Sequence, residues 1–260
     1  MAYIERRIQS EIGEVKMVED RPIAVIGAMD SEIGLIIGKI GNKSTRRIGG
    51  WNFISGTIGE KPVTAVRCFI GMANSAAATA LLIENYNPQC VIIQGTCGGH
   101  NPLLHRGDIV IGERVIENCR RETSPLGEGE GSRFESGKLI DAQIPYGNTV
   151  IRASEIFCDC ALVEKAKTVP YSKGRLITGC ISCGDVFNRE RDVLKYLHSV
   201  RGSDCEEMEG FAVGQVCKVF GVPFIDIRVL SNSELYPGEE FDESYALQCQ
   251  EFCLDFIEKL

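Results

Sequence analysis

The feature that most constrains this chain is a series of short, predominantly apolar segments that alternate with helical patterns. The clearest of these segments are residues 22–27, 90–94 and 223–230. A strand with no polar alternation is buried on both faces, which requires a parallel or mixed sheet covered by helices on both sides. The sequence therefore predicts an α/β fold, a single domain with a central mixed β-sheet flanked by helices.

The remaining elements follow from the same patterns. Apolar runs predict further strands at residues 51–57, 62–68, 108–115 and 174–181. Helical periodicity predicts a helix capped by Asp30 and further helices at 73–86, 189–198 and 209–220. Four segments are expected to be turns at strand ends, where open α/β sheets bind ligands: residues 27–32, 95–99, 206–209 and 231–233.

Two segments stand apart from this pattern. Residues 1–21 are charged and weakly periodic, so they are interpreted as an N-terminal extension to a domain over 22–260. Residues 120–136 combine three glycines with many charges and are longer than a simple connection, which is typical of a lid, a subunit contact or a mobile loop.

Charge and cysteine content narrow the function classes. Twenty-eight Lys and Arg against 36 Asp and Glu give a net charge of −8, which argues against a nucleic-acid partner. No apolar run reaches the ~18 residues of a membrane span and no export signal is visible, so a cytoplasmic protein is expected. Cys180 and Cys183 have no second ligand pair, and no metal or cofactor is expected. Cys249 and Cys253 share an apolar helical stripe and are expected to be core residues.

Four charged residues could carry chemistry. Glu207 and Glu209 precede an apolar helix, where they could interact favourably with the helix N-terminus, hold the hydroxyls of a cis-diol or act as a general base. Glu32, one turn into its helix, could likewise be an anion favoured at the helix N-terminus or a general base. Arg228 lies inside an apolar strand and must have an acceptor, because a guanidinium is seldom buried without one. The glycine spacing at residues 27–32 fits neither dinucleotide nor nucleoside triphosphate binding.

The order of the short motifs resembles the 5′-methylthioadenosine/S-adenosylhomocysteine nucleosidases, which belong to the purine nucleoside phosphorylase/hydrolase superfamily. The resemblance covers about residues 22–260. It implies a nucleoside phosphorylase-like fold, a homodimer and hydrolysis of the N-glycosidic bond of a 5′-substituted purine nucleoside. The motifs that carry it are GAMDSE (27–32), FIGMAN (69–74), GTCGG (95–99), GDIV (107–110), GDVF (184–187), EME (207–209) and the VPF, Arg and Ser of 222–231.

The resemblance also implies a role for each site residue. Glu32 orients or deprotonates the attacking water, and Glu209 holds the ribose hydroxyls above Met208. Phe187, with its neighbour Val186, stacks on the purine, while Thr96 stands where the family usually has Ser. The substrate-binding set implied in this way is Thr96, Val186, Phe187, Glu207, Met208, Glu209, Arg228 and Ser231, and the catalytic pair is Glu32 and Asn232.

Residue 93 separates hydrolysis from phosphorolysis. The superfamily's phosphorylases carry a phosphate-binding arginine two residues before the Gly-Ser/Thr pair, and this chain has Ile93 there. An apolar side chain cannot neutralise phosphate, and the charge of Glu32 would oppose it. The sequence therefore favours a hydrolase, with a phosphate-dependent phosphorylase as the alternative.

Asn232 departs from the family pattern, because the family has its general acid, an aspartate, directly after this serine. An amide donates hydrogen bonds but has no titratable proton, and losing a general acid costs about 10²–10⁴ in rate. Three interpretations stay open: an altered purine preference, possible for 6-oxopurines without excluding adenine; a nucleoside-binding protein with little catalysis; or an engineered replacement of a native aspartate.

Overall fold

The computed structural model describes residues 21–130 and 138–260. The predicted extension 1–21, apart from Arg21, and residues 131–136 of the predicted irregular segment lie outside the described residues. The strands are β1 (Ile23–Gly27), β2 (Gly41–Ile48), β3 (Trp51–Ile58), β4 (Lys61–Arg67), β5 (Cys90–Gly99), β6 (Ile109–Glu117), β7 (Arg121–Glu122), β8 (Lys138–Leu139), β9 (Ala142–Tyr146), β10 (Thr149–Ala153), β11 (Glu155–Phe157), β12 (Leu176–Cys183), β13 (Cys205–Glu207) and β14 (Phe224–Asn232).

The helices of the described residues alternate with these strands. They are α1 (Asp30–Lys39), α2 (Met72–Tyr86), α3 (Cys160–Ala166), α4 (Arg191–Ser199), α5 (Gly210–Phe220) and α6 (Ala246–Lys259), with a 3₁₀ turn at Glu243–Tyr245 before α6. Helix α1 packs on α6, and α2 packs on α5. Cys249 and Cys253 of α6 are fully buried, as the apolar stripe predicted.

A ten-stranded mixed sheet forms the centre of the fold, which confirms the predicted α/β class. Strand β5 pairs in parallel with β1 and β14 and antiparallel with β13. Strand β14 also pairs with β6, and β12 pairs with both β6 and β13, so β5, β14, β6, β12 and β13 close into a ring. Strands β4, β3 and β2 extend the sheet from β1 on the other side. The pairs β7–β8 and β9–β10 are separate.

The apolar strands occupy the positions that their composition requires. All five residues of β1 are buried, and Ile26 lies between Val66 of β4 and Ile93 of β5. Ile93 itself has no exposed surface. Burial of this kind supplies roughly 1.5–3 kcal/mol for each large apolar side chain, so the central strands stabilise the fold and fix the positions of their ends.

Two predicted turns are strand instead. Strand β5 continues through the segment 95–99, and β14 continues to Asn232. Where β5 passes Glu32, position 95 must be glycine, because a Cβ there would lie 2.5 Å from Glu32 Oε1. The prediction for Asp30 is also wrong: Met29 is the N-cap residue of α1, and its N–H donates to the Glu32 side chain, whereas Asp30 pairs with Arg67.

Candidate active site

A cavity of about 290 Å³ lies at the carboxyl ends of β1, β5 and β14, beside β13 and the start of α5. The sheet brings nine of the ten predicted site residues to it. These nine are Glu32, Thr96, Val186, Phe187, Glu207, Met208, Glu209, Ser231 and Asn232. Arg228 is not in the lining but lies directly behind it, 1% exposed, in contact with the carboxylates. One pocket therefore gathers residues from across the chain.

Glu32 is held by four hydrogen bonds from two elements. Its Oε2 accepts the backbone N–H of Ala28 at 2.9 Å and of Met29 at 3.1 Å. Its Oε1 accepts the Thr96 N–H at 2.8 Å and the Thr96 hydroxyl at 2.9 Å. The side chain is buried, so the carboxylate is fixed between the end of β1 and the middle of β5. A carboxylate held this rigidly can orient a water molecule in the cavity.

Arg228 joins three buried carboxylates behind the cavity. Its Nε donates to Asp226 Oδ1 at 2.7 Å, and its Nη2 donates to Glu207 Oε2 at 2.5 Å. Its Nη1 lies farther from Glu209 Oε2, at 3.4 Å. The same Glu207 oxygen accepts the N–H groups of Glu209 and Gly210, both at 2.7 Å. Glu207 therefore both accepts the first N–H groups of α5, which was one of the uses weighed from the sequence, and anchors the guanidinium.

Burial dominates the titration of this cluster. It raises the pKa of Glu207 and that of Glu209 to about 7, although the attraction of Arg228 lowers both. Burial also raises the pKa of Asp226, and the facing carboxylates raise the pKa of Arg228 well above its usual value against the effect of burial. Ionising all three acids around one guanidinium is energetically unfavourable, so Glu207 and Glu209 are partly protonated near neutral pH.

Glu209 lines the cavity from the start of α5. It occupies the N-cap position of α5, with Met208 before it in the lining. Its Oε1 accepts the N–H of Gly71 at 2.9 Å. Since Gly71 has φ = 101°, glycine supplies the backbone conformation that turns this N–H toward the acid.

The other predicted site residues differ in exposure. Val186 and Phe187 lie between β12 and α4 and are 46% and 50% exposed. Asp185 accepts the N–H of Met72 at 2.8 Å, which ties this segment to the start of α2. Asn232 is buried at the end of β14, where the Ser231 hydroxyl lies 3.0 Å from its Oδ1.

Comparison with known proteins agrees with this geometry. The family model of the phosphorylase superfamily matches residues 22–258. A 5′-methylthioadenosine/S-adenosylhomocysteine nucleosidase from Halalkalibacterium halodurans is 34% identical over 225 residues, covering 86% of this chain and 89% of the relative. The chain belongs to this nucleosidase family.

Two further nucleosidases support the assignment. The enzyme of Aeromonas salmonicida is 30% identical over 226 residues, covering 86% of this chain and 90% of its own. The crystal structure of the Colwellia psychrerythraea nucleosidase in complex with adenine superposes with a TM-score of 0.75 at 27% identity, covering 93% of this chain and 96% of that one. As a nucleosidase-family member, this chain therefore shares the family fold over almost its whole described length.

Several lining residues of this nucleosidase were missed from its sequence. Glu206 in β13 and Phe241 after β14 both line the cavity, as do Met29, Ile70 and Cys97. Ile70 lies within a motif quoted for the resemblance, and Glu206 directly precedes the predicted Glu207, so both had a nearby signal. Phe241 follows a segment without periodicity, so nothing in the sequence marks it.

The cysteines form no evident site. All twelve are unpaired thiols, and Cys180 and Cys183 are buried in β12 with their pKa values raised by burial. Within residues 21–130 and 138–260, no group of three or more His, Cys, Asp or Glu side chains is arranged to hold a metal ion. No helix of those same residues is both long and apolar enough to cross a bilayer.

Proposed function

We propose that this chain hydrolyses the N-glycosidic bond of a 5′-substituted purine nucleoside, with 5′-methylthioadenosine and S-adenosylhomocysteine as the substrates its relatives' names indicate. The observation that carries the proposal is one cavity whose lining combines the fixed carboxylates Glu32 and Glu209 with Phe187 and Asn232. A ribose and a purine joined by one bond match such a combination.

The reaction needs charge stabilisation at the sugar. The bond to the base breaks through an oxocarbenium-like transition state, which carboxylates beside the sugar stabilise. Glu209 accepts the ribose hydroxyls, and Met208 packs beneath the ring. Glu32 takes a proton from the water that attacks C1′. Its four hydrogen bonds hold it in place before substrate arrives, so little reorganisation is needed in the transition state.

The departing base meets Asn232 and the Val186–Phe187 segment. The Ser231 hydroxyl beside Asn232 Oδ1 leaves the amide Nδ2 hydrogens to be donated into the cavity. A ring nitrogen of the purine can accept such a hydrogen bond in adenine and in 6-oxopurines alike. Phe187 stacks on the base, and Asn232 orients it but has no proton to transfer.

Water is the nucleophile because nothing at the attacking side suits an anion. Ile93, where the phosphorylase pattern requires arginine, is fully buried between β1 and β14. The cavity is lined at this end by the acids Glu32, Glu207 and Glu209, which would repel phosphate, and the cation behind them, Arg228, is already paired with carboxylates.

The same proposal includes a cytoplasmic homodimer. Twelve unpaired cysteines suit a reducing compartment. The dimer rests on the resemblance and on Ile70 and Phe187, which line the cavity although each is about half exposed, so that a second subunit would complete its closure. Sedimentation velocity on the purified protein checks the dimer, and a monomer at micromolar concentration would contradict it.

Chromatographic detection of free base tests the reaction. The protein is incubated with methylthioadenosine, S-adenosylhomocysteine, adenosine and inosine, each with and without phosphate. We expect base to be released without phosphate, and fastest from the 5′-substituted nucleosides. Strict dependence on phosphate would assign the chain to the phosphorylases instead, whereas micromolar binding in calorimetry with no base released over hours would identify a binding protein.

A further inference from the structure

Glu206 lies beside Asn232 at the purine end of the cavity. Both residues are paired with Gly98 of β5, Glu206 through β13 and Asn232 through β14. A Cβ at Gly98 would lie 3.7 Å from Glu206 Cγ and 3.3 Å from Asn232 Nδ2. Position 232, which lacks the family's aspartate, therefore has the carboxylic acid of Glu206 nearby, and both side chains lie at Gly98.

The Glu206 carboxylate connects the purine-binding segment to a buried histidine. Its Oε1 accepts the Asn188 N–H at 2.8 Å, and its Oε2 accepts the Asn188 side-chain amide at 2.6 Å. Asn188 directly follows Phe187, so these bonds hold the segment that covers the base. On its other side, Glu206 Oε2 lies 3.2 Å from Nε2 of His100, whose side chain is 0% exposed against 8% for Glu206.

The hydrogen bonds around His100 determine where its protons lie. Ser203 Oγ is 2.9 Å from the carbonyl oxygen of Cys205, to which it can only donate. The same hydroxyl is 2.9 Å from His100 Nδ1, so Nδ1 must carry the hydrogen of that contact. A neutral imidazole protonated at Nδ1 has a lone pair at Nε2. That lone pair would face the Glu206 carboxylate with no partner, so the pair requires one proton between Nε2 and Oε2.

We propose that Glu206, supplied by His100, is the catalytic acid that protonates the departing purine in place of an aspartate at position 232. This inference rests on the proposed function. His100 is a positioning and proton-storing residue, because it reaches the cavity only through Glu206.

The step balances as follows. The C1′–N9 bond breaks and its electron pair moves to the purine, a ring nitrogen of which takes the proton held by the His100–Glu206 pair. The oxygen of water bonds to C1′, and Glu32 accepts a proton from that water. After the products leave, Glu32 returns its proton to solvent and the His100–Glu206 pair takes one up. Asn232 contributes a hydrogen bond throughout.

Leaving-group dependence tests the acid in Glu206→Gln. One substrate is methylthioadenosine, and the other is the 4-nitrophenyl glycoside of 5-methylthioribose, whose leaving group departs as a stable anion. We expect the turnover of methylthioadenosine to fall by about 10² or more, and that of the nitrophenyl glycoside to change by less than about five-fold. An equal loss on both substrates would show that Glu206 only supports the fold, and no loss on either would exclude it as the acid.

A rescue experiment addresses the same point from the other side. If Glu206 supplies the proton, Asn232→Asp should raise activity by less than about ten-fold in the unaltered chain but by about 10² in the Glu206→Gln background. A rise of about 10² in the unaltered chain would overturn the inference, because it would mean that no other group supplies the proton.

The chain offers a matched control in its second His–Glu pair. His105 Nδ1 lies 2.8 Å from Glu239 Oε1, and neither residue lines the cavity. Glu239→Gln removes a comparable charge and should leave the turnover of both substrates unchanged.

Failure of this inference and failure of the proposed function give different results. If the unaltered chain releases no adenine but Asn232→Asp does, the site is a nucleosidase and Glu206 is not its acid. If neither releases base, the proposed function fails and this inference fails with it.

Discussion

The two ends of the cavity are built differently. At the end where we propose that water and ribose bind, Glu32, Glu207 and Glu209 are buried and held by backbone N–H groups and by Arg228. At the purine end, Val186 and Phe187 are about half exposed, on a segment fixed mainly through its neighbours Asp185 and Asn188. The first end is part of the core, whereas the second combines the buried Glu206 and Asn232 with an exposed segment that is attached to the core.

This difference has a physical reason. Stabilising a short-lived positive charge requires dipoles and charges that are already in place, so the sugar end gains from rigidity. A planar base must enter and leave the site, and an aromatic side chain on an exposed segment can stack on it without precisely placed hydrogen bonds. Substitutions at the sugar end should therefore change turnover and stability. Substitutions of the aromatic segment at the purine end should mainly change substrate affinity.

The largest effect is expected at Glu32. Glu32→Gln should lower the turnover of methylthioadenosine by about 10²–10⁴, because the amide cannot accept the proton of the attacking water. Chromatographic base release measures the loss, and calorimetry with the substrate should show binding largely intact. Unchanged turnover would remove Glu32 from the mechanism and with it the contrast between the two ends.

The next effect is on stability and concerns Arg228. Arg228→Ala leaves Asp226, Glu207 and Glu209 buried without their shared cation, so the free energy of unfolding should fall by about 3–5 kcal/mol. Urea denaturation measures it. The control is Lys173→Ala, which removes a half-exposed pair with Glu251 and should cost less than about 1 kcal/mol. Equal effects would mean that the cluster is no more important to the fold than a surface pair.

A smaller and different effect is expected at Phe187. Phe187→Ala should raise KM about ten-fold through lost stacking while changing the free energy of unfolding by less than about 0.5 kcal/mol. Phe157→Ala is the control, because Phe157 is similarly exposed but does not line the cavity. A large loss of stability in Phe187→Ala would show that the purine end belongs to the core after all.

The pH dependence should be milder still and should come from the sugar end. Burial raises the pKa of Glu209 to about 7, and only its ionised form accepts both ribose hydroxyls. We therefore expect kcat/KM to increase as pH rises through about 7, by several-fold between pH 6 and 8. A profile that is flat over this range would show that Glu209 is already ionised at pH 6.

Stability should change with pH in the opposite direction. Burial raises the pKa of Glu207 from 4.5 to about 7 in the folded chain, so between these values the unfolded chain loses a proton that the folded chain keeps. The free energy of unfolding should therefore fall as pH rises from about 4.5 to about 7. Urea denaturation at several pH values should show a smaller decrease in Glu207→Gln, and identical slopes would contradict the raised pKa.

The sequence was sufficient for the elements that are buried and regular. The apolar runs predicted β1, the start of β5 and most of β14, and the resemblance predicted the residues that the sheet brings to one cavity. The polar strand β2 was missed, since its residues are almost all exposed and show no alternation of burial. The three-residue strand β13 was missed because it is too short for periodicity, although it carries Glu206 and Glu207.

The least predictable features were those that depend on contacts between distant residues. The need for glycine at position 95 follows from its proximity to Glu32, 63 positions away in the chain, and no local pattern encodes it. The pairing of His100 with Glu206 and that of Arg228 with Glu207 and Glu209 likewise depend on the closed ring of strands. Glu206 was within a quoted segment, but only the register of β13 on β5 turns it toward Asn232.

The shared contact of β13 and β14 with Gly98 has a consequence for how such a site can change over time. The side chains at positions 206 and 232 lie on different strands but face almost the same region of the proposed base-binding site. An acid could therefore be gained on one strand before it is lost from the other. Along that route no intermediate lacks a proton donor. Because Gly98 has no side chain, positions 206 and 232 can both reach the same substrate.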